Sequence, residues 1–400
     1  MGTLVSTVVS VVVALGVVAG VFTILNLLLD RAGQRWDERL RPWIFVGPAM
    51  LFLVAALVLP AVRTIGLSFR AGRRGDEGFS LATWRDVLGD KGVISFDALG
   101  DVFTSRLFLL AVVVLAAAAA VAWWSAHREA GVAAEGGGLR SSFDLSHPLA
   151  STAMAVAVIA LLLAVFSTLR GLIWNNLWWV AAVAGLATLF GLALAVLADR
   201  SRNETAAKTL IFMPMAISLV GAAIIWKYVY DTPGAGQAEG LLNLLWPGEP
   251  IDFLRGTSGT GTIAPWNNFF IMVIMIWIQA GFAMVVLSAA IKGVPTELLE
   301  AARVDGANEV QVFWRVTLPQ ITTTIAVVVT TLTITVLKIF DLVKATTGGT
   351  AGTDVLANRM YDGLRNGNFT SSAVFAVTIL ILVLPVMWIN IRRTRREVGV

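Results

Sequence analysis

Residues 292–320 read KGVPTELLEAARVDGANEVQVFWRVTLPQ, a charged, amphipathic stretch lying between two long apolar runs. Pro295 and Thr296 start a helix, and Glu297 sits where the positive end of the helix dipole favours an acid. Leu298, Leu299 and Ala302 fall on one face of that helix. Gly306 stops it, because glycine tolerates the left-handed turn that a C-terminal cap requires. Asn308 then caps a second helix, with Gln311 at the capping-box position. Val310, Phe313 and Trp314 give this second helix an apolar face, and Pro319 opens the next apolar run. The stretch therefore predicts a bent pair of short helices that stands out from its surroundings, a shape suited to docking.

What surrounds the pair is lipid-seeking. Of the 400 residues, 57% are hydrophobic and 14% charged, whereas a soluble domain carries about 25% charged residues. Mean hydropathy is +0.79. A helix crossing a bilayer needs roughly 20 mostly apolar residues. Nine segments meet that length: about 3–28, 43–67, 106–125, 149–168, 175–198, 209–229, 267–291, 321–339 and 371–391. The first is read as a retained anchor, since its apolar run is long and no basic region precedes it. The fold class expected is all-α, a polytopic transmembrane bundle.

With the C-terminus in the cytoplasm, the inner segments are 29–42, 126–148, 199–208, 292–320 and 392–400. These hold more than half of the 30 basic residues, among them Arg200, Lys208, Lys292, Arg303, Arg315 and Arg392. This bias accounts for the pI of about 9.7 without nucleic acid. The stretch 68–105 reads as an outer-face loop, and Gly-rich 131–138 as a flexible inner connection. Trp-Asn-Asn occurs at Trp174–Asn176 and again at Trp266–Asn268, each at the outer end of a span. Interfacial Trp and helix-capping Asn explain both occurrences with no functional role.

Several chemistries are excluded by what the sequence lacks. With 0 Cys, thiolate sites have no residues to use, and with only His127 and His147 a histidine-ligated metal site is disfavoured. No G-x-x-x-x-G-K-[ST] loop is present to cradle nucleotide phosphates. A secondary transporter driven by an ion gradient is the alternative reading, but it calls for carboxylates inside spans, and nearly all Asp and Glu fall in loops. An intramembrane enzyme calls for a catalytic His or paired carboxylates at membrane depth, and none is found.

The 292–320 loop resembles the cytoplasmic loop of the permease subunits of bacterial ABC importers. Their pattern is Glu-Ala-Ala, three residues, Gly, nine residues, an aliphatic residue, any residue, then Leu-Pro. Here stand Glu300-Ala301-Ala302, Gly306 and Val316-Thr317-Leu318-Pro319, with Val in place of the usual Ile. The likeness extends over roughly 172–395, with weaker support at 41–69. Within it, ADRSRNETAAKTLIFMPMAISLVGAAIIWKYVYDTPGAG, WNNFFIMVIMIWIQAGFAMVVLSAAIKGVP and VLANRMYDGL look most like α-glucoside and glucosylglycerol permeases of the maltose type. The region 106–168 departs from the pattern, with two apolar segments in place of a short outer loop.

The nine apolar segments give about nine spans, and the resemblance implies an importer-type core of about six among them. It divides the chain into an anchor and linker (1–42), N-terminal spans with the inserted apolar region (43–171) and a permease core (172–395). It implies that Glu300, Ala301, Ala302, Asp305, Gly306, Ala307, Phe313, Leu318 and Pro319 fit a cleft on an ATPase subunit. It also implies a second permease subunit, two ATPase subunits and an extracytoplasmic sugar-binding protein, in the bacterial cytoplasmic membrane. The chain is then not an enzyme: ATP and Mg would be bound by the partner ATPase, and no cofactor or metal by this chain.

A transport pathway needs polar groups near the midplane. Thr331, Thr335 and Lys338 are spaced i, i+4, i+7 and share one helical face, with Asp341 in reach of Lys338. Aligning Thr346-Thr347-Gly348-Gly349 with the maltose-type Thr-Asn-Gly-Gly brings these three onto sugar-contact positions. Aligning Trp277 and Lys292–Pro295 does the same for Gln279 and Phe282. Each has a structural alternative. The threonines can bond their own helix, Lys338 can snorkel to the outer interface, Gln279 can join two helices and Phe282 can pack.

Overall fold

In the computed structural model the described residues are 20, 23, 46–97, 99–133, 148–169, 171–231, 240–245, 250–258, 261–262 and 266–398. Most of the expected anchor span 3–28 and of the connection 131–138 lies outside them. The chain divides into two compact units, Met1–Leu67 and Ser68–Val400.

The first unit contributes α1 (Val46–Ser68), a helix of mean hydropathy 2.2 with a π-helical turn at Val54–Val58. Leu51, Phe52 and Leu57 stand exposed along it, as side chains facing lipid do.

The second unit begins with α2 (Ala82–Gly89) and α3 (Leu99–Thr104), so the expected outer loop 68–105 is a small folded element. Its residues bond to the far end of the chain: Phe369 N–H donates to the Arg73 carbonyl (2.8 Å) and Thr370 Oγ1 to that of Gly72 (2.8 Å). Val87, Val93, Leu172, Leu356 and Val374 close a small apolar core beneath it. The inserted region forms α4 (Arg106–Ala133) and α5 (Pro148–Thr168), packed along each other.

The core follows. Helix α6 (Leu172–Asp199) leads to α7 (Glu204–Phe212), a 3-10 turn through Pro214, and α8 (Leu219–Tyr230), with a 100° bend between the last two arms. Pro214 and the extended Ile217 interrupt the helical ladder there, and Ser218 caps α8 by accepting from Gly221 N–H (3.1 Å). A short α9 (Leu241–Leu245) and a three-stranded antiparallel meander, β1 (Ile251–Asp252), β2 (Thr257–Ser258) and β3 (Gly261–Thr262), precede α10 (Trp266–Lys292). After α10 come α11 (Thr296–Val304), α12 (Glu309–Gln320), α13 (Thr322–Leu337), α14 (Asp341–Thr346), α15 (Leu356–Arg365) and α16 (Phe369–Val398). Among the described residues four helices are long and apolar enough to cross a membrane, or six if each bent pair is one span.

Helices α6 and α10 form the centre. Gly191 and Gly281 let backbones approach: a Cβ on Gly191 would come within 2.9 Å of Met284 N, and one on Gly281 within 2.7 Å of the Ile211 carbonyl. Around this contact Trp179, Ile271, Met275, Met284, Leu287 and Leu332 are almost fully buried. The centre is therefore small-residue packing filled in by large apolar chains, the arrangement expected where lipid offers no hydrophobic drive between helices.

Candidate functional site

Three places carry the candidate residues: the α11–α12 hairpin, the polar stripe on α10 and α13, and the end of the bundle where α6 and α10 begin.

The hairpin is held by its own termini. Helix α11 ends at Val304; Gly306 takes φ +84°, its N–H donates to the Arg303 carbonyl and Ala307 N–H to that of Ala302, both at 3.0 Å. This double bond with a left-handed glycine is a Schellman cap. Asn308 Oδ1 accepts from Gln311 N–H (2.9 Å) while Gln311 Oε1 accepts from Asn308 N–H (2.9 Å), the capping box read from the sequence. Arg303 Nε donates to Glu309 Oε1 (2.8 Å) across the turn. Arg200 approaches Glu309 Oε2 at 3.9 Å from the α6–α7 connection. Helix α12 passes through a π-helical turn at Phe313–Thr317.

Glu300, Ala301, Asp305, Gly306 and Pro319 are exposed, while Ala302, Ala307, Phe313 and Leu318 are half-buried. Ala302, Asp305, Gly306, Ala307, Gln311 and Arg315 surround an open hollow of about 380 Å³. Val304 (87% exposed), Val310 (66%) and Trp314 (62%) leave large apolar surface uncovered beside it. An apolar surface of this kind on a part expected outside the bilayer marks an interaction site.

Beside the hairpin a charged knot joins the ends of three helices. Lys208 Nζ meets Asp199 Oδ1 and Glu204 Oε1, each at 2.5 Å, and also donates to Ser288 Oγ. The Ser288 hydroxyl donates in turn to Asp199 Oδ1 (2.7 Å), and Lys292 pairs with Glu204. Ser288 and Asp199 are 2% and 14% exposed, so the knot ties α6, α7 and α10 where the hairpin departs. The stretches that carry the family likeness include these residues, but nothing in the sequence announced their contact beyond charge at the ends of apolar runs.

In the polar stripe the structure refines one expectation. Helix α13 stops at Leu337, so Lys338 is the residue that caps its end, with φ −102°, following on from Thr331 and Thr335. Lys338 is exposed and, among the described residues, forms no ion pair with Asp341, which instead opens α14. The two threonine hydroxyls donate to their own helix, Thr331 to the Val327 carbonyl and Thr335 to that of Thr331, both at 2.9 Å. Each keeps oxygen lone pairs for a ligand. Gln279 is 9% exposed, and among the described residues its side-chain amide bonds to no protein group. The amide is not among the buried polar atoms left without a partner, so it opens onto accessible space inside a span and is free to meet a ligand. Phe282 is half-buried among the core side chains.

The third place was missed. The Trp-Asn-Asn asparagines cap neither of their own helices. Asn175 Nδ2 donates to the carbonyls of Gly352 (2.7 Å) and Asp354 (3.0 Å), and its Oδ1 accepts from Asn268 Nδ2 (2.8 Å). Asn268 Oδ1 in turn accepts from Trp179 Nε1 (3.1 Å), and Asn267 Nδ2 reaches the Ala351 carbonyl (2.9 Å). The paired motif is a clasp that binds the turn after α14 to the starts of α6 and α10. Its repetition in the sequence was the available signal.

Asp354 sits in this clasp, 16% exposed, paired with Arg359 Nε (2.6 Å) and accepting from Asn358 Nδ2 (2.7 Å). Burial raises its pKa above the usual 3.8, outweighing those two contacts. The folded chain thus holds this proton to higher pH than the unfolded chain does. The resulting stabilisation is full below the unfolded value and is lost as pH rises through the folded one. Thermal melts of the purified protein on the acid side of neutrality are expected to show Asp354→Asn weakening this pH dependence relative to wild type. An identical pH dependence in the two proteins overturns the assignment.

A cleft of about 600 Å³ opens beside the clasp, walled by Lys91 and Ser95, by Phe166 and Leu169 at the end of α5, and by Gly349 and Arg359. The inserted region therefore helps shape this end of the core.

Comparison with known proteins places these features. Residues 187–393 match the family described as binding-protein-dependent transport system inner membrane component. The alpha-glucoside transport system permease protein AglF of Rhizobium meliloti is 39% identical over 371 residues, covering 91% of this chain and 85% of that protein. That is too much of the chain for 106–168 to lie wholly outside the match. The osmoprotective compounds uptake permease protein GgtC of Synechocystis is 47% identical over 228 residues, 56% of this chain and 79% of its own. A crystal structure of a bacterial ABC transporter involved in the import of the acidic polysaccharide alginate shares the fold at a TM-score of 0.52 and 19% identity, covering 91% of this chain and 99% of that one. A helical bundle with a capped hairpin before a bent span, and a family match extending over that hairpin and the spans on either side, lead to one assignment: the chain is a permease of the binding-protein-dependent ABC importer family.

Proposed function

We propose that this permease carries an α-linked glucoside, a disaccharide such as trehalose or maltose or a compound such as glucosylglycerol, inward by alternating access. The observation that carries the reading is the hairpin. Its shape is fixed by a Schellman cap and a capping box, yet Val304, Val310 and Trp314 are left uncovered. The hairpin docks in a cleft of an ATPase subunit, through Glu300, Ala301, Ala302, Asp305, Gly306, Ala307, Phe313, Leu318 and Pro319. ATP and Mg are bound there and hydrolysed by that partner. The complete importer pairs this chain with a second permease, two ATPases and an extracytoplasmic sugar-binding protein, with the C-terminus of this chain in the cytoplasm. The sugar class is supported by the 39% identity to a permease named for α-glucosides.

Gln279, Phe282, Thr331, Thr335 and Lys338 line the sugar pathway. The unpartnered amide of Gln279 and the exposed ammonium of Lys338 supply hydrogen bonds, and the ring of Phe282 supplies an apolar face for a pyranose. Cells lacking the chain are complemented with wild type or with Gln279→Leu plus Lys338→Ala, and uptake of labelled trehalose, maltose and glucosylglycerol is measured. Wild type restores one of the three, and the double variant raises the half-saturating concentration about tenfold or more, two lost hydrogen bonds at about 1 kcal/mol each. Normal transport by the double variant removes these residues from the pathway. Restoration of none of the three removes the sugar class and leaves the importer assignment standing.

A further inference from the structure

Asn176 belongs to the clasp but makes contacts of a different kind. It is fully buried, and its amide spans two helix ends that lie far apart in sequence. Its Nδ2 donates to the Leu337 carbonyl (3.2 Å), the last residue of α13, and its Oδ1 accepts from Leu356 N–H (2.8 Å), the first residue of α15. A helix leaves its last carbonyls and its first N–H groups without internal partners, and in a low-dielectric interior each must be met from elsewhere. Neither α13 nor α15 has a side-chain cap of its own at these ends. One neutral amide meets both needs because it offers a donor and an acceptor on one planar group.

The residue released by that cap is Lys338. Were the Leu337 carbonyl unmet, α13 would gain by turning on and taking Lys338 with it, or by fraying and letting it swing. We propose that Asn176 is a positioning residue for transport: by closing α13 at Leu337 it sets where the Lys338 ammonium stands. The transport half of this inference rests on the reading of Lys338 as a pathway residue; the geometric half does not.

The absence of cysteine allows the two halves to be tested separately, because a single introduced thiol is the only one in the chain. Lys338→Cys and, as an internal control about two turns earlier, Thr331→Cys are placed in the assembled importer with Asn176 or with Asn176→Ala. Modification by a small membrane-impermeant methanethiosulfonate is followed by the mass of this chain. The rate at position 338 is expected to change about fivefold or more on losing the cap, and the rate at 331 by less than about twofold. Equal changes at both positions mean general loosening and overturn the proposal, as does no change at 338. Should Asn176→Ala fail to accumulate, Asn176→Ser, which keeps a shorter donor and acceptor, carries the same comparison.

For transport, Asn176→Ala is expected to raise the half-saturating concentration for the sugar about tenfold with maximal rate nearly unchanged, and to add nothing when Lys338→Ala is already present. Independent, multiplying effects overturn action through Lys338 while leaving Lys338 in the pathway. Normal uptake by Lys338→Ala alone removes Lys338 from the pathway, and the labelling rates then decide the geometric half by themselves.

Discussion

Gly306→Pro is expected to abolish uptake, by about a hundredfold or more, while the chain still reaches the membrane at its normal level. The glycine holds φ +84°, and proline is locked near −65° by its ring. Proline also removes the N–H that donates to the Arg303 carbonyl (3.0 Å). Together these remove the Schellman cap, and a penalty of about 3 kcal/mol or more corresponds to about a hundredfold. No atom lies within 4 Å of a Cβ built at this position, so a side chain there meets open space and the effect is one of backbone conformation. Gly306→Ala separates backbone strain from loss of the donor: it keeps the N–H and meets only the left-handed penalty of about 1–2 kcal/mol, so uptake should fall about tenfold. The measurement is initial uptake rate alongside the amount of ATPase that co-purifies with the chain. If Gly306→Pro retains both, the hairpin is a connection between spans and not a dock.

The loss should have a second signature in the charge pairs around the hairpin. Arg303 and Arg200 both reach Glu309, at 2.8 and 3.9 Å, so the hairpin is tied both to its own turn and to the α6–α7 connection. Both pairs are exposed and individually weak. Orientation of the hairpin therefore rests mainly on its caps, with the Lys208 knot fixing the α6, α7 and α10 ends from which it departs. This is why a single backbone position is expected to outweigh any single charge.

How far this was legible in the sequence follows from the range of each interaction. The hairpin depends on contacts a few residues apart, so Gly306, Asn308 and Gln311 announced its caps directly. Four of the nine expected spans were directly legible because lipid demands long apolar runs: those at 43–67, 175–198, 267–291 and 371–391 appear as Val46–Ser68, Leu172–Asp199, Trp266–Lys292 and Phe369–Arg392. What escaped was long-range. An Asn at the start of a span reads as a cap on local grounds, yet Asn175 and Asn176 bond to residues near 350 and to Leu337, which no periodicity reveals. Lys338 was set inside the helix because apolar residues continue past it, whereas it caps a helix that ends one residue earlier under the influence of Asn176. The 100° break between α7 and α8 likewise went unread, although Pro214 and Ser218 were there to suggest it.

The second large effect belongs to the α6–α10 contact, and it is one of assembly rather than transport. At Gly191 an added Cβ would collide with the Ala283 side chain and come within 2.9 Å of Met284 N and 3.0 Å of the Ala283 carbonyl carbon. Two of these are backbone atoms of a helix whose opposite side is itself pinned, since Gly281 lies against the Ile211 carbonyl of α7. Helix α10 therefore has nowhere to retreat, and even Gly191→Ala should destabilise by about 1–3 kcal/mol through overpacking. Gly191→Leu should leave little folded permease in the membrane, because a loss of 1–2 kcal/mol already lowers abundance several-fold. Ala283→Gly offers the internal check. It removes the nearest atom and should restore part of the Gly191→Ala loss, but not all of it, because Met284 N remains in the way. Monodisperse protein recovered after mild detergent extraction reads the outcome; full accumulation of Gly191→Leu would mean that the two helices do not meet at this depth.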